Sequence, residues 1–344
     1  MRRRRGRCKW QRVRRMVTPH KLALHGQAVH GGGMIIDMHT HAGRKGLGPI
    51  DATPLVGMRP AGRAAVVVAA IADAPLIRRS PTTMGLEQAR AAHSGECHHA
   101  TTVQLSAYEA CGVRIAREPA EIRPEDPAIV LAIEGGDFLE GDLDRLDAMA
   151  ARGVRCIQPV HYVVNELGDI QTEPVVHGGL TPFGAEAVRR MQTLGIMVDV
   201  AHCTEAVVRG VVDVSRRPIL CTHANLAWPD RPDGGHKRFI SRDYATMVAA
   251  SGGVVGAWIA VLRQEPDPFG AMVEHLFRLI DAIGVEHVGI GTDMPAGVAE
   301  RVMPDFSRHA DLARAMRERG MNAEEVEQVC SGNWLRVFRA ARTA

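Results

Sequence analysis

From Met34 onward, short β-branched or apolar runs alternate with longer stretches of helical character. The runs are Met34–Met38, Ala65–Ile71, Ala128–Ile133, Arg155–Val160, Ile196–Val200, Pro218–Thr222, Gly253–Ile259 and His287–Ile290. Between them, Leu143–Arg152, Pro182–Leu194, Thr204–Val214, Asp243–Ala250 and Ala271–Ile283 repeat apolar positions at the spacing of a helix face. Thr181-Pro182 opens one of these helices and Gly195 closes it, while Gly284 ends another. Strands separated by helices pair in parallel, and eight is the number that closes a (β/α)8 TIM barrel. An open, doubly wound α/β sheet is the alternative. Arg78 to Pro127 is long for one crossover and reads as helices packed on the barrel's flank. Ala323 to Arg339 reads as a capping helix pair.

The runs share a feature at their ends. In a barrel of this kind the reactive face lies at the carboxyl ends of the strands. The first run ends in His39-Thr40-His41, whose alternate side chains point the same way in a strand. The third ends in Glu134, the fourth in His161, the fifth in His202, the sixth in His223 and the eighth in Asp293. A lone histidine or carboxylate after a strand is more often a loop residue or a cap. Six of eight runs ending this way is hard to obtain by accident in a chain with 16 His.

Imidazole and carboxylate together suit Zn²⁺ and related divalent ions. Five histidines and two carboxylates exceed what one tetrahedral ion uses. Two ions about 3.5–4 Å apart, bridged by a carboxylate and a hydroxide, would use them. Such a bridging water ionises near neutral pH and attacks a carbonyl that an ion polarises. Asp293 can take the proton and pass it to a leaving nitrogen. The expected class is hydrolysis of an amide, a related C–N bond or an ester. His93, His98 and His99 offer a second cluster, better read as surface residues.

The length of 344 residues allows one large domain or two ordinary ones, and 46% apolar content is globular. No apolar run is long enough to span a bilayer. The formal charge of +3 conceals two unlike parts. Residues 1–16 hold eight Arg and one Lys with no acid; without those nine cations the chain stands at −6. We read residues 1–33 as a disordered basic leader and 34–344 as a single domain. No apolar segment follows the charges, so no secretory signal is expected. Seven cysteines without a Cys-x-x-Cys pair suggest reduced thiols and a cytoplasmic protein.

Several stretches resemble the membrane (renal) dipeptidase family of zinc metallopeptidases, within the amidohydrolase superfamily. They are Ile133-Glu134-Gly135-Gly136, His161 with Asn165 close behind, Val198-Asp199-Val200-Ala201-His202, Thr222-His223-Ala224-Asn225 and Lys237-Arg238-Phe239-Ile240. Ser251 to Gly256, Gly291-Thr292-Asp293 and Gly332-Asn333-Trp334-Leu335-Arg336-Val337-Phe338 extend the resemblance over about residues 34–340. It implies a metallodipeptidase on a TIM barrel of the metal-dependent amidohydrolase type. By resemblance, His39, His41 and Glu134 hold one zinc, and Glu134, His202 and His223 the other, with Asp293 also at the metals. His161 steadies the attacked carbonyl oxygen, Asn165 joins it in substrate binding, and Arg238 takes the substrate's terminal carboxylate. A surface salt bridge near His236-Lys237 is the other reading of Arg238.

Two departures stand out. His41 replaces the aspartate common in the family, and Met294-Pro295 replaces a frequent Phe-Asp in the loop that shapes the pocket. The expected partner is a small-molecule substrate, a dipeptide or related small amide, with no nucleic acid and no membrane. Homodimers are common among such barrels, though nothing in the sequence marks an interface. Two other functions stay open. One is an amidohydrolase acting on a lactone, cyclic amide, N-acyl amino acid or phosphoester. The other is nucleic-acid association through the arginine tail, against which the acidic remainder argues.

Overall fold

The computed structural model describes residues 34–41, 63–80, 86–230, 236–259, 265–294 and 308–343. The leader expected over residues 1–33 lies outside them. Every one of the eight apolar runs forms a strand: β1 (Ile35–Thr40), β2 (Arg63–Ile71), β3 (Ala128–Glu134), β4 (Val154–Ile157), β5 (Met197–Val198), β6 (Leu220–Ala224), β7 (Val254–Ala257) and β8 (Val288–Ile290). Side-chain alternation explains their continuous apolar character. Ala65, Val67 and Ala69 of β2 join Ala128, Val130 and Ala132 of β3 in an inner cluster. Val66, Val68, Ile129, Leu131 and Ile133 point the other way, into the layer of helices. A parallel sheet covered on both faces has no polar side to present.

The helices are α1 (Glu96–Ala110), α2 (Asp144–Arg152), α3 (Pro182–Thr193), α4 (Glu205–Val214), α5 (Arg242–Ala250), α6 (Pro268–Ile283), α7 (His309–Glu318), α8 (Ala323–Glu327) and α9 (Asn333–Arg342). Thr181, Thr204, Ser241 and Asp267 cap α3 to α6 by accepting a backbone N–H of the first turn. At the amino ends of the strands α9 closes the interior with Trp334, Leu335, Val337 and Phe338. Asn333 fastens it there by donating to the carbonyls of Val285 and Val288 at 2.7 and 2.9 Å.

Two expectations need correction. Among the described residues, Arg78 to Pro127 holds one long helix, α1, together with an antiparallel strand pair, Ile77–Arg79 with Leu86–Gln88, and a two-residue strand, Arg114–Ile115, beside β3. Gly112 at φ +74° and Pro119 break the helical course there. Second, the eight strands do not share one uninterrupted ladder. β1 to β5 pair in parallel in order, and β6 to β8 form a separate parallel sheet.

The two sheets meet at two seams. Asp199 bridges to Leu220 at one and Thr40 to Met294 at the other. At each seam an aspartate takes ladder donors into its own carboxylate. Asp199 accepts the Thr222 N–H at 2.9 Å and its hydroxyl at 2.5 Å. Asp37 accepts the Thr292 N–H at 3.0 Å and its hydroxyl at 2.5 Å. Each threonine directly precedes an expected site residue, His223 or Asp293. Gly256 and Gly291 let the strand ends close in, since a Cβ on either would run into the Thr222 carbonyl oxygen.

Candidate metal centre

Glu134, the last residue of β3, sits at the middle of the cluster and is buried. Its Oε1 lies 3.0 Å from His202 Nε2, 3.4 Å from His39 Nε2 and 3.6 Å from His223 Nε2. Its Oε2 lies 3.3 Å from the Nε2 atoms of both His41 and His161. Residues from β1, β3 and the ends of β4, β5 and β6, up to 184 positions apart in the chain, thus converge on one carboxylate. His39, His41, Glu134, His161, His202 and His223 are all brought together as expected, and Asp293 joins them with Oδ1 3.1 Å from His41 Nε2.

The donor set fits divalent cations. His39 and His41 face each other Nε2 to Nε2 at 3.3 Å, and His202 and His223 do so at 3.1 Å. Glu134 Oε2 is buried without a hydrogen-bond donor among the described residues. Paired imidazole nitrogens around an under-satisfied carboxylate are costly unless a proton or a cation lies between them. Two groups present ligand atoms within 4.8 Å of one another and divide the cluster: His39, His41 and Asp293, and Glu134, His202 and His223. A third grouping, His39, Asp199 and His223, is geometrically close. Its Asp199 oxygens are committed to Thr222 and Ala201.

The outer nitrogens of three of the rings are also held, which fixes which nitrogen faces inward. His41 Nδ1 meets the Ala69 carbonyl at 3.0 Å, His223 Nδ1 the Thr222 hydroxyl at 3.1 Å, and His39 Nδ1 the Gln158 amide at 3.3 Å. Burial, with Arg238 and neighbouring rings, pushes His202 and His223 well below the ordinary histidine range, so both imidazoles are neutral, the form that can bind a metal. Burial opposes the charge on Glu134, yet His161 and His39 hold it well below the usual carboxylate range. Burial also opposes a proton on His41, but Asp293 and Glu134 overcome it and raise the group to about 10.

His202 and Asp293 carry left-handed backbones, with φ +70° and +58°. Such a conformation costs a non-glycine residue on the order of 1–3 kcal/mol and persists where surrounding contacts over-determine it. Here the Asp293 N–H donates to the His39 carbonyl and the His202 carbonyl accepts from Gln171.

Sequence reasoning passed over two strand ends, and the structure fills both. Asp73, just beyond β2, accepts from His161 Nδ1 at 2.7 Å and from the Tyr162 N–H at 2.9 Å. Burial lowers His161 while Asp73 and Glu134 raise it, with a net rise that favours a protonated, donating ring. Trp258, just beyond β7, donates from Nε1 to Asp293 Oδ2 at 3.1 Å. A search for metal-type ligands alone misses an indole and an aspartate two residues past its strand.

Arg238 is buried to 1% exposure, which removes the surface salt-bridge reading. Its Nη1 donates to Gln171 at 2.7 Å, while Nε and Nη2 find no partner among the described residues. Asn165 is tied into its own loop. Its amide donates to Asp137 and to the Pro159 carbonyl, and its oxygen accepts from the Leu167 N–H. Those three bonds shape the loop after β4 and leave one acceptor position on the amide oxygen. His93 and His99 are exposed, and none of the expected trio appears in a ligand group among the described residues.

A sequence profile described as membrane dipeptidase (Peptidase family M19) matches residues 58–344. The chain belongs to that family. His39 and His41 lie before the matched stretch. Among membrane dipeptidase relatives, Dipeptidase tcpJ of Claviceps purpurea (strain 20.1) is 30% identical over 220 residues, covering 62% of this chain and 50% of the fungal protein. The chain spans about half the length of the curated dipeptidases it matches. Among solved structures, the probable dipeptidase PvdM from Pseudomonas aeruginosa superimposes with a TM-score of 0.71 at 20% identity, over 90% of this chain and 96% of that one. A metallopeptidase from Rhodobacter sphaeroides, liganded with a phosphinate mimic of the dipeptide L-Ala-D-Ala, gives 0.73 at 21% identity, over 90% and 99%. These structures share the α/β fold with the described sheets.

Proposed function

We propose that this chain is a metal-dependent dipeptidase, with the eight strands acting as a (β/α)8 barrel whose two seams close beneath the site. Family membership supports the reaction class. The single observation that carries the reading is the convergence of His39, His41, His202, His223 and Glu134, with Arg238 offering two free donors beside them. His39, His41 and Asp293 would hold one divalent ion and His202 and His223 the other, with Glu134 between them. Zinc suits the nitrogen and oxygen donors. Ions bound there supply a water that ionises near neutral pH and a Lewis acid for the attacked carbonyl.

The protein's own groups complete the chemistry. Nε and Nη2 of Arg238 form one edge of the guanidinium fork, which matches a carboxylate in two parallel hydrogen bonds. That fixes the carboxyl end of a dipeptide and sets its peptide bond over the cluster. His161, protonated and steadied by Asp73, donates to the carbonyl oxygen as negative charge develops there. Asp293 takes the proton from the attacking water and delivers it to the departing amine nitrogen. A small substrate without membrane or nucleic-acid contact suits this buried site, and the free thiols of Cys97, Cys111, Cys156, Cys203 and Cys221 suit a reducing, cytoplasmic setting. No helix among the described residues is long and apolar enough to cross a membrane.

The test is a panel of dipeptides, their C-terminal amides and N-acetyl amino acids, with and without added Zn²⁺, Co²⁺ or Mn²⁺. Metal-dependent release of free amino acids from dipeptides, abolished by Glu134→Gln, is the expected result. Turnover of N-acetyl amino acids alone would shift the assignment to a related amidohydrolase. Full activity after exhaustive chelation would overturn it.

A further inference from the structure

Trp258 is the side chain on which the two halves of the site meet. It follows β7, and its backbone is clamped by Asn225, which accepts the Trp258 N–H at 3.3 Å and donates to its carbonyl at 2.8 Å. The ring is only 3% exposed. One edge donates to Asp293 Oδ2 at 3.1 Å, while Asp293 Oδ1 meets His41 at 3.1 Å. The ring's face lies 5.0 Å from the Arg238 guanidinium carbon, and the indole packs edge-on against His223 at 5.4 Å.

We propose that Trp258 is a positioning and specificity-determining residue, aiming Asp293 through its N–H and Arg238 through its ring. The assignment rests on the dipeptidase reading given above. An indole nitrogen only donates, so it can fix the Asp293 carboxylate without competing for the proton that group must carry. With both oxygens engaged and the backbone held in a left-handed conformation, Asp293 has one orientation. An arginine held with its guanidinium carbon over a ring face leaves the N–H donors of its fork for hydrogen bonds. Gln171 occupies Nη1, so the remaining Nε and Nη2 edge is the one left for a carboxylate. One side chain thereby ties recognition of the substrate's carboxylate to the proton transfer at the other end of the scissile bond.

Two variants separate the roles. Trp258→Phe keeps an aromatic face for Arg238 and deletes the N–H. It should lower kcat for L-Ala-L-Ala by about tenfold or more, from loss of one charge-assisted hydrogen bond, with KM nearly unchanged. Trp258→Leu also removes the face, so KM should rise about tenfold and the preference for L-Ala-L-Ala over L-Ala-L-Ala amide should shrink in step. Bound metal, measured by mass spectrometry, and melting temperature report whether either variant is merely misfolded.

A readout independent of turnover is Co²⁺ titration. The ion should quench Trp258 emission in the wild type, and Trp258→Phe should lose that component. An equal quench in the variant would overturn the placement. An active wild type with an indifferent Trp258→Phe kcat and a Trp258→Leu variant of unchanged selectivity overturns this assignment alone. A wild type that binds Co²⁺ but splits no dipeptide overturns the dipeptidase reading and this assignment with it.

Discussion

Replacing Thr222 by valine removes one hydroxyl at the seam between β5 and β6 while keeping a branched side chain of similar size. The hydroxyl donates to Asp199 Oδ2 at 2.5 Å and lies 3.1 Å from His223 Nδ1. Asp199 is buried, and burial already raises it above the ordinary aspartate range despite the donors it has. Asp199 Oδ1 would keep the N–H groups of Thr222 and Ala201, but Oδ2 would lose its donor. A hydrogen bond to a charged group is worth roughly 1.5–3 kcal/mol, and the orphaned oxygen puts the loss at the upper end. For a chain of this size that is a melting temperature lower by about 2–4 °C. His223 would lose the contact that orients its ring, for which removal of an outer partner typically costs about 10–100-fold in metal affinity. Thr292→Val at the other seam is the control. Asp37 Oδ2 would keep its 2.7 Å bond from His309, and the Thr292 hydroxyl is spent on Asp37 rather than on a ring of the cluster, so stability should fall while metal affinity changes less. Differential scanning calorimetry and competitive metal titration of both variants decide it. A Thr222→Val protein with wild-type melting temperature and affinity would refute the view that these clasps hold the site together.

Arg238→Met keeps the apolar stem and removes the fork, so KM for dipeptides should rise about 30-fold or more while turnover of dipeptide amides barely changes; equal losses on both would count against carboxylate binding. Asp73→Asn should lower kcat through His161 while mass spectrometry still finds the wild-type metal content. Asp169 makes a prediction about pH: burial acts to raise it, but the N–H groups of His177, Val176 and Gly179 outweigh this and hold it below the ordinary aspartate range. A depressed acid contributes stability that is complete above its unfolded value of about 4 and is lost as pH falls through the folded one. The difference in melting temperature between wild type and Asp169→Asn should therefore be constant near neutrality and narrow below about pH 4; a difference that widens on acidification would contradict the sign.

The strands were readable because burial on both faces leaves an unbroken apolar signature, as at Ala65–Ile71 and Ala128–Ile133. The ligands were readable because each stands at the end of such a run. Three things were not. The seams depend on Asp37 and Asp199, which sit inside apolar runs and reveal their partners, Thr292 and Thr222, only when distant strands meet. The Arg78 to Pro127 segment draws its order from outside itself: α1 lacks a capping residue of its own, and Glu140, from the loop after β3, accepts the N–H groups of Gly95 and Cys97. Asn165 lies close behind His161 in the chain, but the sequence did not show that three of its amide's four hydrogen-bonding positions are spent on its own loop.

The most direct measurement of the central claim is the metal stoichiometry of the purified chain, read by inductively coupled plasma mass spectrometry beside Glu134→Gln. Two divalent ions per chain in the wild type, with a clear loss in the variant, is the predicted result. A wild type that takes up no ion under saturating zinc, or a variant that holds both as firmly, would contradict it.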